Sequence, residues 1–230
     1  MTDSALRELA DDPSSRKRFF KMLGGAGAVS AFSVALAACG DDDDKKDDPA
    51  PVAKSADDSN KSDLEILNYA LTLEYLEADF YAKTIASGLV KDPKVASIAK
   101  KFGSTEQEHV DALIATIKKL GGKPVTAPKS NFQPTFDKGL MATLNAAADV
   151  ENLGAAAYLG QAGNIKNKEV LAAALAIHTV EARHAAALNT LVGRGFGDGK
   201  GGLNGSLPDG AFGKPMDMAA VLAAVKPFLA

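Results

Sequence analysis

The stretch "TVEARHAAAL", residues 179–188, places Glu181 three positions before His184 within an alanine-rich run that favours helix. The stretch "TEQEHVDAL", residues 105–113, repeats the arrangement with Glu106 and His109. Two of the chain's three histidines therefore follow a glutamate by one helical turn. Residues three apart share a helix face with Cβ atoms about 5–6 Å apart. Both side chains of each pair can therefore reach one metal ion.

Four long segments that include these two motifs keep a helical period. They cover residues 63–87, 93–120, 137–163 and 168–192. Apolar residues recur at steps of three and four, which places them on one face of each predicted helix. The connections between the segments are short, long and short, and the long one, residues 121–136, is rich in proline. This order predicts an all-α fold, a four-helix bundle made of two hairpins joined by a long crossover.

Acidic and imidazole side chains interrupt the apolar stripe of each predicted helix at its middle. The residues concerned are Glu74, Glu106, His109, Glu151, Glu181 and His184. Four carboxylates in a low-dielectric interior would repel one another and resist ionisation. Two divalent cations would compensate their charge, and neutral imidazoles would complete the ligand set. The pattern therefore predicts a dinuclear metal centre, and the alternative is that these residues form solvated helix faces or ordinary hydrogen bonds.

Carboxylate-bridged di-iron and di-manganese bundles use one Glu from each of two helices and Glu-x-x-His from each of the other two. This chain resembles the ferritin-like superfamily, in the branch with plant desiccation-related proteins and exported bacterial proteins. The stretches that carry the resemblance are "LEYLEADFY" (73–81), "EQEHVDAL" (106–113), "ENLGAAAYLGQA" (151–162), "VEARHAAAL" (180–188) and "DMAAVLAAVKPFLA" (217–230).

The resemblance implies a ferritin-like up-down bundle over residues 63–192, followed by a glycine-rich loop and a short C-terminal helix in residues 193–230. It also implies a pair of Fe or Mn ions as the cofactor. By resemblance, Glu74 and Glu181 would be terminal ligands, one to each ion. Glu106 and Glu151 would bridge the two ions, and His109 and His184 would each bind one of them.

Four further residues lie next to the predicted ligands. Glu77 is one turn from Glu74, and could be an extra ligand, a hydrogen-bond acceptor beside the ligands or a lysine-paired surface acid. Tyr81 and Tyr158 are expected to hydrogen bond to ligand carboxylates, and a redox role makes them the candidate catalytic residues. His178 is expected to be a hydrogen-bonded histidine at a helix edge, with contact to the ligands as the second option.

The N-terminal sequence predicts export. "SSRKRFFKML" (14–23) is basic, and the apolar stretch that follows it ends at Cys39. Residues 1–38 therefore resemble an export signal of the twin-arginine type. Lys17 stands where that signal usually has its second arginine, so the general secretory route remains open.

"LAAC" (36–39) resembles a bacterial lipobox, which predicts that Cys39 is lipidated and anchors the protein to a membrane. The alternative is a lone cysteine at the end of a signal peptide. Residues 39–62 are acidic and contain no aromatic side chain, which predicts a disordered linker. The protein is thus expected in the periplasm or cell envelope.

Composition excludes several other classes of protein. The net charge is −3, and no basic stripe with interleaved aromatic residues is present, so a nucleic-acid partner is not expected. A single cysteine excludes internal disulfides, zinc knuckles and iron–sulfur ligation. The lipid anchor and the glycine-rich stretch 193–215 favour a monomer or dimer over a 24-subunit cage.

These features predict an exported Fe- or Mn-dependent oxidase that acts on O2 or peroxide, as a ferroxidase or in peroxide detoxification. The alternative is a non-enzymatic module, related to stress or desiccation, whose metals are structural or absent. Metal storage is a third option, and it would require a cage or a surface that nucleates mineral.

Overall fold

The fold consists of helices. A computed structural model describes residues 56–197 and 204–230, which contain two isolated β-bridges and no strand. In chain order the helices are α1 (Ala56–Ala86), α2 (Pro93–Lys119), α3 (Gln133–Phe136), α4 (Leu140–Ala162), α5 (Lys168–Leu191) and α6 (Met218–Val225), followed by a short 3-10 helix (Lys226–Phe228). The all-α prediction is confirmed.

The four long helices form two antiparallel hairpins. Leu67, early in α1, packs in one apolar cluster with Ile117, late in α2, and Tyr158, late in α4. Val170, at the start of α5, belongs to the same cluster. The helices therefore run up, down, down and up, and residues 120–139 form the crossover between the two hairpins. The predicted bundle with a long crossover is confirmed.

Side-chain caps begin two of these helices. The carboxylate of Asp92 accepts hydrogen bonds from the backbone N–H groups of Lys94 and Val95 at the start of α2, at 2.8 and 3.0 Å. Asn167 accepts equivalent bonds at the start of α5. Such caps satisfy N–H groups that have no partner within the helix.

The first helix begins earlier than predicted, at Ala56, so residues 56–62 of the predicted linker are helical. Asn60 explains part of this extension, because its side-chain amide donates to the carbonyl of Leu120 at the end of α2. The predicted export signal, Cys39 and residues 39–55 of the linker lie outside the described residues.

The C-terminal segment packs along the bundle. Val221 and Val225 of α6 are buried in an apolar cluster with residues of the bundle. The N–H of Met216 donates to the carbonyl of Ala156 in α4 at 3.0 Å. The N–H of Ala230 donates to Lys129 in the crossover at 2.9 Å. The predicted C-terminal helix is therefore present and closes one side of the core.

Some apolar residues of the long helices are exposed to solvent. Met141 is 57% exposed and Ile85 is 37% exposed. Each lies in a terminal turn, where neighbouring helices cover less of the side chain. Among the described residues, no helix is both long enough and apolar enough to cross a bilayer.

Candidate metal centre

The four long helices bring all six predicted ligands together in the core. The side chains of this acidic cluster are all buried: Glu74, Glu106, His109, Glu151, Glu181 and His184. Because each glutamate follows the helical period of its own apolar stripe, packing of the stripes turns the carboxylates toward one another. The alternative of solvated helix faces is therefore wrong.

The ligand atoms of the cluster form two groups, and within each group they all lie within 4.8 Å of one another. The first group consists of Glu74, Glu106, His109 and Glu181, and the second of Glu106, Glu151, Glu181 and His184. Glu106 and Glu181 thus belong to both groups, and Glu151 belongs to one.

This geometry differs from the expectation that Glu106 and Glu151 are shared. The two shared residues are the glutamates of the two Glu-x-x-His motifs. Oxygens of Glu106 lie 2.9 Å from Nδ1 of His109 and 2.8 Å from Nδ1 of His184. Glu181 also lies 3.1 Å from Nδ1 of His109, the histidine of the other motif. Each motif places its glutamate between the two histidines, which leaves Glu151 at the side.

Several polar atoms of the cluster are buried without a hydrogen-bond partner in the described part of the chain. They are both carboxylate oxygens of Glu181, one oxygen each of Glu106 and Glu151, and Nδ1 of His184. Nδ1 of His184 lies 2.8 Å from Glu106 Oε1, yet the two atoms do not align as a hydrogen bond. Buried polar atoms without partners are rare and costly. Their convergence fits ligands that face a common cation.

Glu74 belongs only to the first group of ligand atoms and Glu151 only to the second. Each of these two glutamates accepts a hydrogen bond from a tyrosine. The hydroxyl of Tyr81 donates to Glu151, and the hydroxyl of Tyr158 donates to Glu74 at 2.5 Å. Each tyrosine lies seven residues after the glutamate of its own helix and contacts the glutamate of the opposite hairpin. The expected hydrogen bonds to ligand carboxylates are present, and a redox role remains a prediction.

Glu77 is a fifth buried carboxylate, so its interpretation as a surface acid is wrong. Gly154 of α4 lies against it. A Cβ atom built at Gly154 would lie 2.8 Å from Glu77 Oε1 and 3.0 Å from Glu181 Oε2. The absence of a side chain at Gly154 therefore leaves room for the carboxylates of Glu77 and Glu181.

Burial raises the pKa of Glu77 and Glu181 well above the ordinary value of 4.5, and the neighbouring carboxylates raise it further. Burial and an adjacent carboxylate likewise raise the pKa of Tyr81 and Tyr158 well above 10.0. Without cations, these groups are held in their neutral forms.

The histidines respond in the opposite way. Burial disfavours their charged form, but the adjacent carboxylates outweigh this effect and raise the pKa of His109 strongly and that of His184 to about 9. Burial also opposes ionisation of Glu106, but the hydrogen bond from His109 and the charges of both histidines lower its pKa to about 2. In the metal-free protein, protons on the imidazoles thus compensate part of the carboxylate charge.

Apolar side chains enclose the cluster at both ends. Leu71 and Ile177 belong to the apolar cluster on one side. On the other side, Leu144 and Leu188 line a small cavity. The ring of Phe102 stacks on His184, with centroids 3.8 Å apart and an angle of 21° between the planes. Apolar surroundings lower the local dielectric constant, which strengthens the electrostatic interactions within the cluster.

Two polar features of the core were not anticipated from the sequence. Asn152 of α4 and Asn189 of α5 are buried and hydrogen bond to each other through their side-chain amides, at 3.1 and 3.2 Å. The carboxylate of buried Asp63 accepts from the backbone N–H groups of Lys166 and Asn167, at 2.8 and 2.7 Å. The sequence shows these residues only as isolated polar positions on an apolar helix face. Their hydrogen-bond partners could not be predicted, because they lie far away in the chain.

His178 was anticipated correctly as a hydrogen-bonded histidine at a helix edge. Its Nδ1 lies 2.9 Å from the carbonyl of Ala155 in α4. Neither of the two groups of ligand atoms includes it.

The fold and the acidic cluster together define a four-helix bundle with a buried carboxylate–histidine cluster that is compatible with metal binding. The family described as the ferritin-like domain matches residues 62–194, which is more than half of the chain. The chain belongs to the ferritin-like domain family. No curated protein matches it.

Proposed function

We propose that the bundle holds two divalent cations, iron or manganese, in the acidic cluster. Glu106 and Glu181 would be shared by the two ions, because they belong to both groups of ligand atoms. Each ion would gain one further carboxylate and one imidazole. These pairs are Glu74 with His109 and Glu151 with His184.

The observation that carries this proposal is the set of buried ligand atoms that make no hydrogen bond among the described residues. Both oxygens of Glu181 lack a hydrogen-bond partner within the described residues, although the side chain is fully buried. Moving an ionised carboxylate from water into the protein interior costs on the order of several kcal/mol unless an opposite charge compensates it. Two divalent ions balance the four carboxylates of the two groups.

The site best fits an oxidase that uses O2 or peroxide. It would act as a ferroxidase or in the removal of peroxide. When bound, an iron or manganese pair supplies redox equivalents and open coordination positions. The chain's own residues fix the ligand geometry and exclude water. Tyr81 and Tyr158 orient Glu151 and Glu74 through their hydroxyl groups.

The test is metal content followed by turnover. Purified wild-type protein should contain iron or manganese by elemental analysis, and the Fe(II)-loaded protein should consume O2 or peroxide. Glu106→Ala removes a shared ligand and should abolish both properties. Glu65→Gln, which changes an exposed glutamate of α1, is the matched control and should retain them. A wild-type protein that binds neither metal contradicts the proposal.

A structural role for the metal is the second candidate, because all four long helices contribute ligands to the cluster. Ions there would cross-link the bundle in the manner of structural sites. Complete unfolding of Glu106→Ala, together with a wild type that consumes no oxidant, would favour this role. A folded, metal-free Glu106→Ala beside an active wild type would favour the oxidase.

We further propose that the protein is exported and lipid-anchored, on the strength of the basic and apolar stretches that precede Cys39. Replacement of Arg16 and Lys17 together should stop export by the twin-arginine route. Cys39→Ser should release the exported protein from the membrane fraction. Unchanged fractionation of either variant would contradict the corresponding part.

A further inference from the structure

A wide cleft opens on the surface of the bundle where α1, α2 and the crossover meet. Its walls are residues 75–85 of α1, residues 100–107 of α2 and residues 127–130 of the crossover, with Ala230 at one side. Its volume is about 870 Å³. Sites for small molecules usually have a volume of about 300–1,000 Å³. The α1–α2 cleft is therefore large enough for a small organic ligand.

Positive charge predominates among the side chains that line the α1–α2 cleft. Lys83, Lys100 and Lys129 are the basic ones, and Asp79 is the acidic one. A carboxylate at Ala230 would still leave the sum of the charges positive. A cleft lined by charge of one sign raises the local concentration of ligands of the opposite sign. The lining thus favours an anion.

Two of the three lysines are available to such a ligand. Lys83 already has partners, because its ammonium group lies 2.8 Å from a carboxylate oxygen of Asp79 and donates to the hydroxyl of Ser130 at 2.8 Å. Lys100 and Lys129 are exposed, and neither ammonium group has an ion-pair or hydrogen-bond partner within residues 56–197 and 204–230. Their charges are not compensated by the protein.

The same cleft also offers apolar surface. Tyr75 and Ala78 of α1 and Pro128 of the crossover line it, and all three are half-buried. Ile85, which is 37% exposed at the end of α1, lines it as well. Sites for small molecules combine apolar lining with a few polar groups that orient the ligand. The α1–α2 cleft has both, which fits an anion that carries an apolar body.

The floor of the α1–α2 cleft lies close to the acidic cluster. Gly103 of α2 lines the cleft, and a Cβ atom built there would lie 2.8 Å from Cβ of Tyr81. The backbone of α2 therefore packs directly on this tyrosine. The hydroxyl of Tyr81 donates to Glu151 of the acidic cluster. The side chain of one tyrosine thus links the floor of the cleft to the acidic cluster.

We infer that the α1–α2 cleft binds a small organic anion with an apolar body. Lys100 and Lys129 attract the anionic group, and the apolar wall around Tyr75 contacts the body of the ligand. This site is separate from the acidic cluster, and its occupancy does not depend on bound metal.

The test compares an anionic probe with an uncharged probe that has the same rings. Anilinonaphthalene sulfonate carries a sulfonate, and phenylnaphthylamine lacks it. Fluorescence titration of the purified chain gives Kd for each probe. An exposed pair of opposite charges changes affinity by up to about five-fold. We therefore expect Lys100→Gln combined with Lys129→Gln to weaken the sulfonate by about 10-fold and the uncharged probe by less than about two-fold.

A charge introduced into the α1–α2 cleft provides the converse test. Ala82 is exposed and lines the cleft, so its replacement leaves the packing of the core unchanged. Ala82→Glu should weaken the sulfonate by about two-fold to five-fold relative to Ala82→Gln, which has the same size and no charge. Lys94→Gln combined with Lys118→Gln changes two exposed lysines of α2 outside the cleft and is the matched control. It should bind both probes as the wild type does.

The other outcomes overturn the inference. If the wild type binds the sulfonate no more tightly than the uncharged probe, the α1–α2 cleft does not select an anion. If the variant of Lys100 and Lys129 retains the wild-type affinity for the sulfonate, the probe binds elsewhere. If that variant weakens both probes equally, the lysines shape the cleft without recognising charge. Retained affinity for the uncharged probe shows that the cleft is intact.

Discussion

Buried carboxylates are the dominant feature of this protein at the scale of the residue. The burial of these six side chains in one cluster was predictable from sequence, because the Glu-x-x-His spacing and the interrupted apolar stripes are local patterns. Which glutamates are shared was not predictable, because this depends on how the stripes of different helices meet. Glu181 rather than Glu151 joins Glu106 in both groups for that reason.

The protonation of these residues predicts how stability depends on pH. In the metal-free protein the pKa of Glu181 is raised well above 4.5, so this group contributes stability that is present below pH 4.5 and lost as the pH rises. The pKa of His184 is raised from 6.5 to about 9, and its contribution is likewise lost as the pH rises through about 9. We expect chelator-treated protein to unfold at lower temperature as the pH increases from 4.5 to 9.

Cations must displace these protons, so the increase in Tm caused by added Mn(II) should grow over the same range. Circular dichroism at each pH, with chelator and with metal, measures both trends. A chelator-treated protein that becomes more stable toward pH 9 would contradict this account.

The hydroxyl of Tyr158 gives a second prediction at this scale. Tyr158→Phe removes the donor to Glu74 and leaves that carboxylate free to rotate. We expect Mn(II) affinity to fall by about 10-fold, at the lower end of effects for groups that orient ligands. Tyr75→Phe, which changes a half-buried tyrosine of α1 at the wall of a surface cleft, is the control and should leave the affinity unchanged. Equal affinity in Tyr158→Phe and wild type would show that the hydroxyl does not orient Glu74.

At the scale of the element, the existence of the four long helices was predictable, but some of their contacts were not. Hydrophobic period, proline and capping residues locate the helices. The start of α1 at Ala56 depends on a hydrogen bond from Asn60 to the far end of α2. The exposure of Met141 and the buried pair of Asn152 and Asn189 also depend on neighbours that are distant in the chain.

Gly160 tests how the C-terminal segment is held against α4. A Cβ atom at Gly160 would lie 1.9 Å from the backbone oxygen of Met216, so the segment would have to move. We expect Gly160→Ala to destabilise the protein by roughly 1–3 kcal/mol, the usual cost of overpacking. Gly163→Ala is the control, because nothing lies within 4 Å of its Cβ position. Denaturant unfolding measures both, and equal stability of the two variants would contradict the close approach.

At the scale of the whole molecule, the acidic cluster joins two hairpins that are connected in sequence by the crossover alone. Cluster side chains from α1 and α2 lie beside cluster side chains from α4 and α5. The pattern of helical segments and connections predicted this architecture. Alanine-rich amphipathic segments that are separated by short, long and short connections leave few other arrangements. The packing of the C-terminal segment against α4 was not predictable, since the glycine-rich sequence before it has no periodic pattern.

Because ions would cross-link the hairpins, their removal should weaken the whole bundle. At a free Mn(II) concentration 100 times Kd, each ion that binds to the folded state alone adds about 2.7 kcal/mol of stability. Thermal unfolding should therefore show a higher Tm with Mn(II) than with chelator, and Glu181→Gln should lose this difference. A Tm that is independent of metal would exclude the cross-link.

The most direct test of the central claim is the number of metal ions that each chain binds. Native mass spectrometry of protein reconstituted with Fe(II) or Mn(II), checked by elemental analysis, gives this number. The two groups of ligand atoms predict two ions per chain in the wild type, and loss of both in Glu181→Gln because this residue belongs to both groups. A wild-type protein without bound ions, or a Glu181→Gln variant with an undiminished number, would contradict the account.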